Sequence, residues 1–332
     1  MVKLSRFNSC KIFAIFGSLF LLGNIAFAAS FERKDVTFVS EGLKCAAWYY
    51  TPTGVKADEK RPAIVMAHGW SAVKEMYLDK FAEKFAEAGF VVTVFDYRRF
   101  GGSEGEPRAE IIWRDQITDY KNAISWTVMQ KEVDGNRIGV WGSSYSGGHV
   151  MQLAAFDKRV KAVVSQVPVS SVWNSYYAGM NAEAAAGTFG WLAQDRAERY
   201  ATGKVNYIPV TKPEKERGPG DFPAEWHAFF DNTAKARAPN WLNKTSVRSI
   251  EDSLDYDPTQ HIHLIAPTPL LMIVAENDVI TPTELEKQAF TRAKEPKKLV
   301  VVPGGHFEAY DGPKFPAFVN PATEWFKQHL MK

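Results

Sequence analysis

Cysteine is nearly absent from this chain: among 332 residues there are two, Cys10 and Cys45. Cys10 falls in a leader-like N-terminal segment, so a processed chain would keep Cys45 alone and could form no internal disulfide. Cys45 stands in an alternating apolar stretch, residues 43–50, which predicts a half-buried structural thiol. Neither charge is in surplus, with 40 Lys and Arg against 38 Asp and Glu and a formal net charge of +2. That leaves no basic field of the kind that collects phosphate backbones, so nucleic acid is not expected as a partner. After residue 27 no apolar run is long enough to span a bilayer. Internal repeats and low-complexity linkers are also missing. His261 and His263 lie close together, but no cysteine or acidic cluster accompanies them, and no metal site is expected.

What is present begins with Lys3, Arg6 and Lys11 ahead of an apolar run over residues 12–27 that ends Ala26-Phe27-Ala28. This pattern predicts a signal peptide cleaved after Ala28 and export to a periplasm or beyond. An uncleaved N-terminal anchor is the alternative, since the run approaches spanning length. The remainder is long enough for one large α/β domain with an insertion, or for two modest domains.

Strand and helix signals then alternate. Residues 34–39 and 43–51 read as a hairpin around Ser40-Glu41-Gly42, and 62–67 as a compact apolar strand of the kind buried on both faces of a parallel sheet. Leu78, Phe81, Ala82, Phe85 and Ala86 have the spacing of an amphipathic helix, which Gly89 stops. Strands over 90–95, 137–141 and 160–167, with a helix over 111–129, continue the series. Strands over 269–275 and 298–302, and helices over 284–294 and toward residue 330, resume it. The expectation is an open, doubly wound, mostly parallel sheet whose functional groups gather at the carboxyl ends of its strands. Residues 168–267 break the pattern and are too many for a simple loop. They are expected to form a mostly helical cap, with core domain segments 29–167 and 268–332 on either side. Trp173, Tyr176, Tyr177, Phe189, Trp191, Trp226, Phe229, Phe230 and Trp241 are candidates for the core of that cap or the wall of a pocket. The charged run 212–217 is expected to be a solvated loop.

The stretch that organises the chain is Gly142-Ser143-Ser144-Tyr145-Ser146-Gly147-Gly148, between a strand and a helix. Small residues on either side of Ser144 let the backbone pass through a sharp strand-to-helix bend, which would lift Ser144 Oγ above the sheet at a helix N-terminus. A second frame makes Ser146 the nucleophile, flanked by Ser144 and Gly148; the glycine that closes the strand two residues earlier favours Ser144. A serine hydroxyl needs a base, and the base an orienting acid. Asp278 and His306 follow the last two core strands and give the chain order Ser, Asp, His, with Glu276 as the rival acid. Tyr145 and Trp70 would supply backbone N–H groups to an oxyanion, with Ser71 as the fallback for Trp70. His68 and Asp96 are expected to organise loops.

These motifs, His68-Gly69-Trp70, Phe95-Asp96-Tyr97-Arg98, the Ser144 elbow, the Asp278 turn and Pro303-Gly304-Gly305-His306, resemble those of serine α/β-hydrolases of the dienelactone-hydrolase-like and Xaa-Pro-peptidase-like (cocaine esterase) group. The likeness runs over residues 31–330. It is closest to a subfamily with bacterial members of unassigned activity and a fungal polyketide acyltransferase, through Ala238-Pro239-Asn240-Trp241, Val247-Arg248-Ser249 and Tyr256-Asp257-Pro258. The chain departs from dienelactone hydrolases, which use cysteine, and carries Arg99 where the Asp-Tyr-Arg loop commonly has glycine. The resemblance implies an α/β-hydrolase fold and an acyl-enzyme mechanism on a small-molecule acyl substrate, with no metal or organic cofactor. Ester or thioester hydrolysis is the expected activity. Acyl transfer, and peptidase action with Glu183, Asp195 or Glu198 holding a substrate amine, are its rivals; a hydrolase-fold binding protein without turnover is the non-enzymatic one.

Overall fold

The computed structural model describes residues 31–56, 58–218 and 221–332, so the leader expected over residues 1–28 lies outside the described residues. The chain opens with an antiparallel hairpin, β1 (Phe31–Ser40) and β2 (Leu43–Pro52), turning at Glu41-Gly42. Then come β3 (Arg61–Ala67), α1 (Leu78–Glu87), β4 (Val91–Phe95), α2 (Trp113–Val128), β5 (Val133–Ser143), α3 (Tyr145–Phe156) and β6 (Val160–Gln166). The eight-stranded main sheet has the order β1-β2-β4-β3-β5-β6-β9-β10, completed by β9 (Leu270–Ala275) and β10 (Lys297–Val302). β1, β2 and β4 pair antiparallel in turn, and all other neighbours are parallel. All of β4 and β9 is buried, as strands covered on both faces of a sheet are, with the hydroxyl of Thr93 in β4 bonded to Thr127.

Helices cover both faces. α1 buries Leu78, Phe81, Ala82, Phe85 and Ala86, and with α8 (Phe315–Leu330) closes one core around Phe81, Trp141 and Phe326. α2 and α3 close the other through Ile117, Tyr120, Val150 and Leu153. Their apolar spacing alone would have placed them against a sheet; the sheet order decides which face each takes. β3 lies between β4 and β5, so chain direction around the sheet reverses there, and the loops after β3 and β5 flank a crevice at the strand ends.

Two boundaries differ from expectation. β5 starts at Val133, ahead of the apolar run, because Arg61 pairs with Val133 and the register then shifts so that Ala63 meets Ile138; the intervening Asp134 and Arg137 pair with each other. α2 starts at Trp113, not residue 111, because Ile112 is extended; Ser249 Oγ and Asp252 Oδ2 accept from the N–H groups of Ile111 and Trp113.

Between β6 and β9 the chain forms a π-helical turn (Trp173–Tyr177), α4 (Ala182–Thr202), β7 (Tyr207–Ile208), α5 (Ala224–Arg237), β8 (Thr245–Ser246) and α6 (Val247–Ser253), with β7 and β8 paired antiparallel. This insertion is not a detached layer. Tyr256, Ile262 and Ile265 belong to the core beneath α3, while Trp226 and Phe230 pack on Ala72, Val73 and Met76 of the loop after β3. α7 (Thr283–Arg292) follows β9. The run 212–217 forms an exposed turn, with Lys212 reaching Asp221 at 2.7 Å. Among the described residues, no helix is long and apolar enough to cross a membrane.

Candidate active site

The end of β5 makes the sharpest bend of the site. Ser144 has φ 60 and ψ −122, a conformation that L-residues adopt only when their surroundings impose it. Three hydrogen bonds hold it there: its N–H donates to Gln166 O at 2.9 Å, and its carbonyl accepts from Gly148 and Val169. Gly142 has to be glycine, since a Cβ there would lie 2.2 Å from Ser146 O. Gly69, at the start of the loop after β3, approaches from the other side, where a Cβ would stand 3.0 Å from Ser144 Cβ. The elbow thus requires glycine at 142 and is closely approached by Gly69.

The structure separates the two serines. Ser146 is fully buried, and its Oγ lies 3.1 Å from Tyr97 OH and 2.8 Å from Tyr120 OH, the latter also bonded to Ala67 N–H and Trp141 O. Its hydroxyl braces the elbow from behind. Ser144 instead lines two cavities, a narrow one with His306 and a larger one of about 390 Å³.

The strand register brings the other two groups together. Ala275 pairs with Val302, so the loops that leave β9 and β10 start side by side. His306 Nδ1 donates to Asp278 Oδ2 at 2.7 Å, with both side chains buried. Asp278 also accepts from Ile280 N and Thr281 N, each at 2.8 Å, and from Thr281 Oγ1 at 2.9 Å. These bonds fix the carboxylate and direct the Nδ1 proton toward it, which leaves Nε2 of the neutral ring as an acceptor. Glu276 is exposed. Thr281 was not singled out from sequence, although its place in the Val-Ile-Thr-Pro turn is the signal: its hydroxyl lies 3.1 Å from both His306 Nδ1 and Val167 O, tying the Asp278 loop to the end of β6.

Trp70 and Tyr145 have backbone N–H groups that donate to no other group among the described residues, and their rings meet edge to face at 5.0 Å. Ser71, next in line, takes a left-handed φ of 51, and its carbonyl accepts from Trp241 Nε1. The loop organisers stand where expected. His68 is buried, donates from Nδ1 to Gly69 O at 3.0 Å, and is held below the usual histidine value by burial. Asp96 accepts from Lys74 N and Lys74 Nζ. Arg99 keeps a positive φ of 74, the conformation that makes glycine common there, and its guanidinium pairs with Asp115 at 2.7 Å. His149 is bonded to Gln116 and Tyr256 inside the core and is pushed down to about 3 by burial, so it stays neutral.

The larger cavity is walled by Tyr176, Tyr177 and Met180 before α4, by Phe222 and Trp226 at α5, and by Ile250 of α6. Phe229 and Phe230 line the narrow cavity beside His306. Trp173, Phe189 and Trp191 face outward in part, the last two 48% and 40% exposed. Glu183 is exposed, Asp195 is bonded to Arg199 and Asn206, and Glu198 to Lys204 and Asn206; none of the three lines either cavity. Among the described residues no group of three or more metal-ligating side chains converges. A buried Asp–His pair and a serine on one cavity are the groups that acyl transfer through serine uses.

Known proteins resemble this chain over most of its length. The chain is 32% identical over 296 residues to the quorum-quenching protein AidA of Acinetobacter baumannii, covering 89% of this chain and 94% of that one. It is 31% identical to the thiohydrolase aneE of Aspergillus aculeatus, over 80% of this chain and 83% of the relative. The crystal structure of the α/β-hydrolase GrgF from Penicillium superposes with a TM-score of 0.78 at 28% identity, over 91% of this chain and all of that one. The model of the X-Pro dipeptidyl-peptidase (S15) family matches residues 41–308. With this sheet order and elbow and that match, the chain belongs to the X-Pro dipeptidyl-peptidase (S15) family of α/β-hydrolases.

Proposed function

We propose that this protein is an exported serine hydrolase that cleaves carboxylic esters or thioesters through an acyl-enzyme on Ser144. The observation that carries this reading is that His306, bonded to Asp278 at 2.7 Å, lines the same narrow cavity as a serine held at φ 60. Ser144 Oγ attacks the acyl carbonyl carbon while His306 Nε2 takes its proton. Backbone N–H groups of Tyr145 and Trp70 hold the resulting oxyanion. As the intermediate collapses, the alcohol or thiol leaves with the proton from His306, and water then attacks the acyl-enzyme with the same histidine as base. Asp278 holds the ring and its transient positive charge throughout. The acyl group occupies the cavity of about 390 Å³, whose aromatic walls suit an uncharged, largely apolar acyl moiety. Export rests on the leader pattern of residues 1–28 alone.

Acyl transfer is the second reading, favoured by a Penicillium relative, 28% identical, that is named a polyketide transferase. It differs only in what resolves the acyl-enzyme, so product analysis with added alcohol or amine separates the two. A peptidase would require a carboxylate for a substrate amine; Glu183, Asp195 and Glu198 lie off both cavities, and Asp221, which lines the larger one, is already paired with Lys212.

Labelling with a fluorophosphonate tests the reading. Loss of labelling in Ser144→Ala with retention in Ser146→Ala is expected. Labelling that depends on Ser146, or none in folded wild-type protein, would overturn it.

A further inference from the structure

Glu225 is a carboxylate that the proposed chemistry does not use. It lies in the first turn of α5, in the insertion, and its Oε2 would stand 3.2 Å from a Cβ on Gly305, the residue before His306. The absent side chain of Gly305 is what lets a group from the insertion lie against the histidine loop. Glu225 Oε1 is buried and has no hydrogen-bond partner among the described residues. Its other oxygen, Oε2, is the one nearer the histidine loop, and the residue as a whole is half-buried.

The charged groups around it can be named. From the β10–α8 loop come His306 and Glu308, the latter paired with Lys314 at 2.8 Å. From the β9–α7 loop comes Asp278, already fully bonded. On its own side of the site Asp221 is paired with Lys212. Of these, His306 is the one group that can become positive without a partner already satisfying it from the insertion. Burial holds the Glu225 carboxyl above the usual value, Asp278 and Glu308 push the same way, and His306 pulls it back.

We propose that Glu225 is a positioning residue carried by the insertion: its negative charge, laid over Gly305, supports the protonated form of His306 and so makes the histidine a stronger base toward Ser144. The inference rests on the serine-hydrolase reading above. It makes the insertion part of the proton-transfer machinery as well as the wall of the acyl cavity. Asp278 supports the ring through Nδ1, and Glu225 acts through space from beside Gly305.

The test is the rate of fluorophosphonate labelling of the full chain between about pH 5 and pH 9, for wild type, Glu225→Gln and Glu225→Asp, with folding checked by circular dichroism. Removing one negative charge near the base is expected to move the half-maximal pH of labelling down by about 0.5 in Glu225→Gln and to lower the plateau rate about threefold. Glu225→Asp keeps the charge but draws it back by one methylene, so its profile should fall between the two. Salt at about 1 M should shrink the gap between wild type and Glu225→Gln, because it screens the charge. A loss of rate with no movement of the half-maximal pH would mean that Glu225 only packs, and would overturn the inference while leaving the hydrolase reading intact. No labelling of the folded wild type at any pH would remove both.

Discussion

Glu286 offers a direct test of how the charges around Asp278 are arranged. It lies on α7, has no exposed surface, and neither carboxyl oxygen has a hydrogen-bond partner among the described residues. Burial pushes its carboxyl well above the ordinary glutamate value of 4.5, and the neighbouring Asp278 charge pushes it further. Tyr176 of the insertion and Lys287 of its own helix are the other ionisable neighbours. Between the unfolded value and the raised native one, the folded protein keeps on Glu286 a proton that the unfolded chain has lost. In the window between the two values the native state binds one more proton than the unfolded state, so stability falls as pH rises, by about 1.4 kcal/mol per pH unit for one group. This contribution is fully present below the unfolded value and is lost as pH rises through the native one. Glu286→Gln replaces the acid with a neutral group of the same shape and cannot ionise. Denaturant unfolding of both proteins at half-unit steps from pH 5 upward should show the glutamine variant gaining on wild type at that slope, then levelling where the native value is reached. The difference between the two proteins cancels the other titrating groups. Parallel curves would refute the reasoning and mean that Glu286 is ionised in the native state.

Three further outcomes follow from the site. Asp278→Asn should fold, since asparagine can still accept from the backbone at Ile280 and Thr281, but its labelling rate should fall by about 10³ to 10⁴, because the acid that orients His306 is gone. Ser146→Ala leaves Tyr97 and Tyr120 short of a partner in the core and should cost about 1–3 kcal/mol in denaturant unfolding, with labelling of Ser144 retained. Gly142→Ala would drive a Cβ to 2.2 Å from a backbone oxygen, and should abolish labelling by shifting the elbow, read directly by comparing labelled fractions of the soluble protein.

Much of the fold could be read from local pattern. The spacing of Leu78, Phe81, Ala82, Phe85 and Ala86 marks one helix face, and the unbroken apolar run Leu270–Ala275 marks a strand covered on both sides, because each pattern has the period of the element that buries it. Boundaries were less readable where distant groups intervene. α2 starts at Trp113 because Ile112 is extended, and the N–H groups of Ile111 and Trp113 there are satisfied by Ser249 and Asp252, more than 130 residues later. The insertion was harder still: its aromatics carry no single period, and which of them wall a cavity depends on the loop after β3 that they meet.

At the site, sequence determined the residue types and their chain order: serine after a strand, then an acid, then a histidine, each just past an apolar run. That much follows from local chemistry, since a nucleophile elbow needs small neighbours and strand ends are where an α/β sheet exposes its loops. Only the tertiary structure decided which serine faces a cavity, because Ser146 is held by two tyrosines from elsewhere in the chain. It decided that Asp278, not Glu276, meets His306, through the register that pairs Ala275 with Val302. It also brought in Glu225 and Glu286, whose parts rest on burial and on contacts between separate elements, quantities that no local pattern encodes.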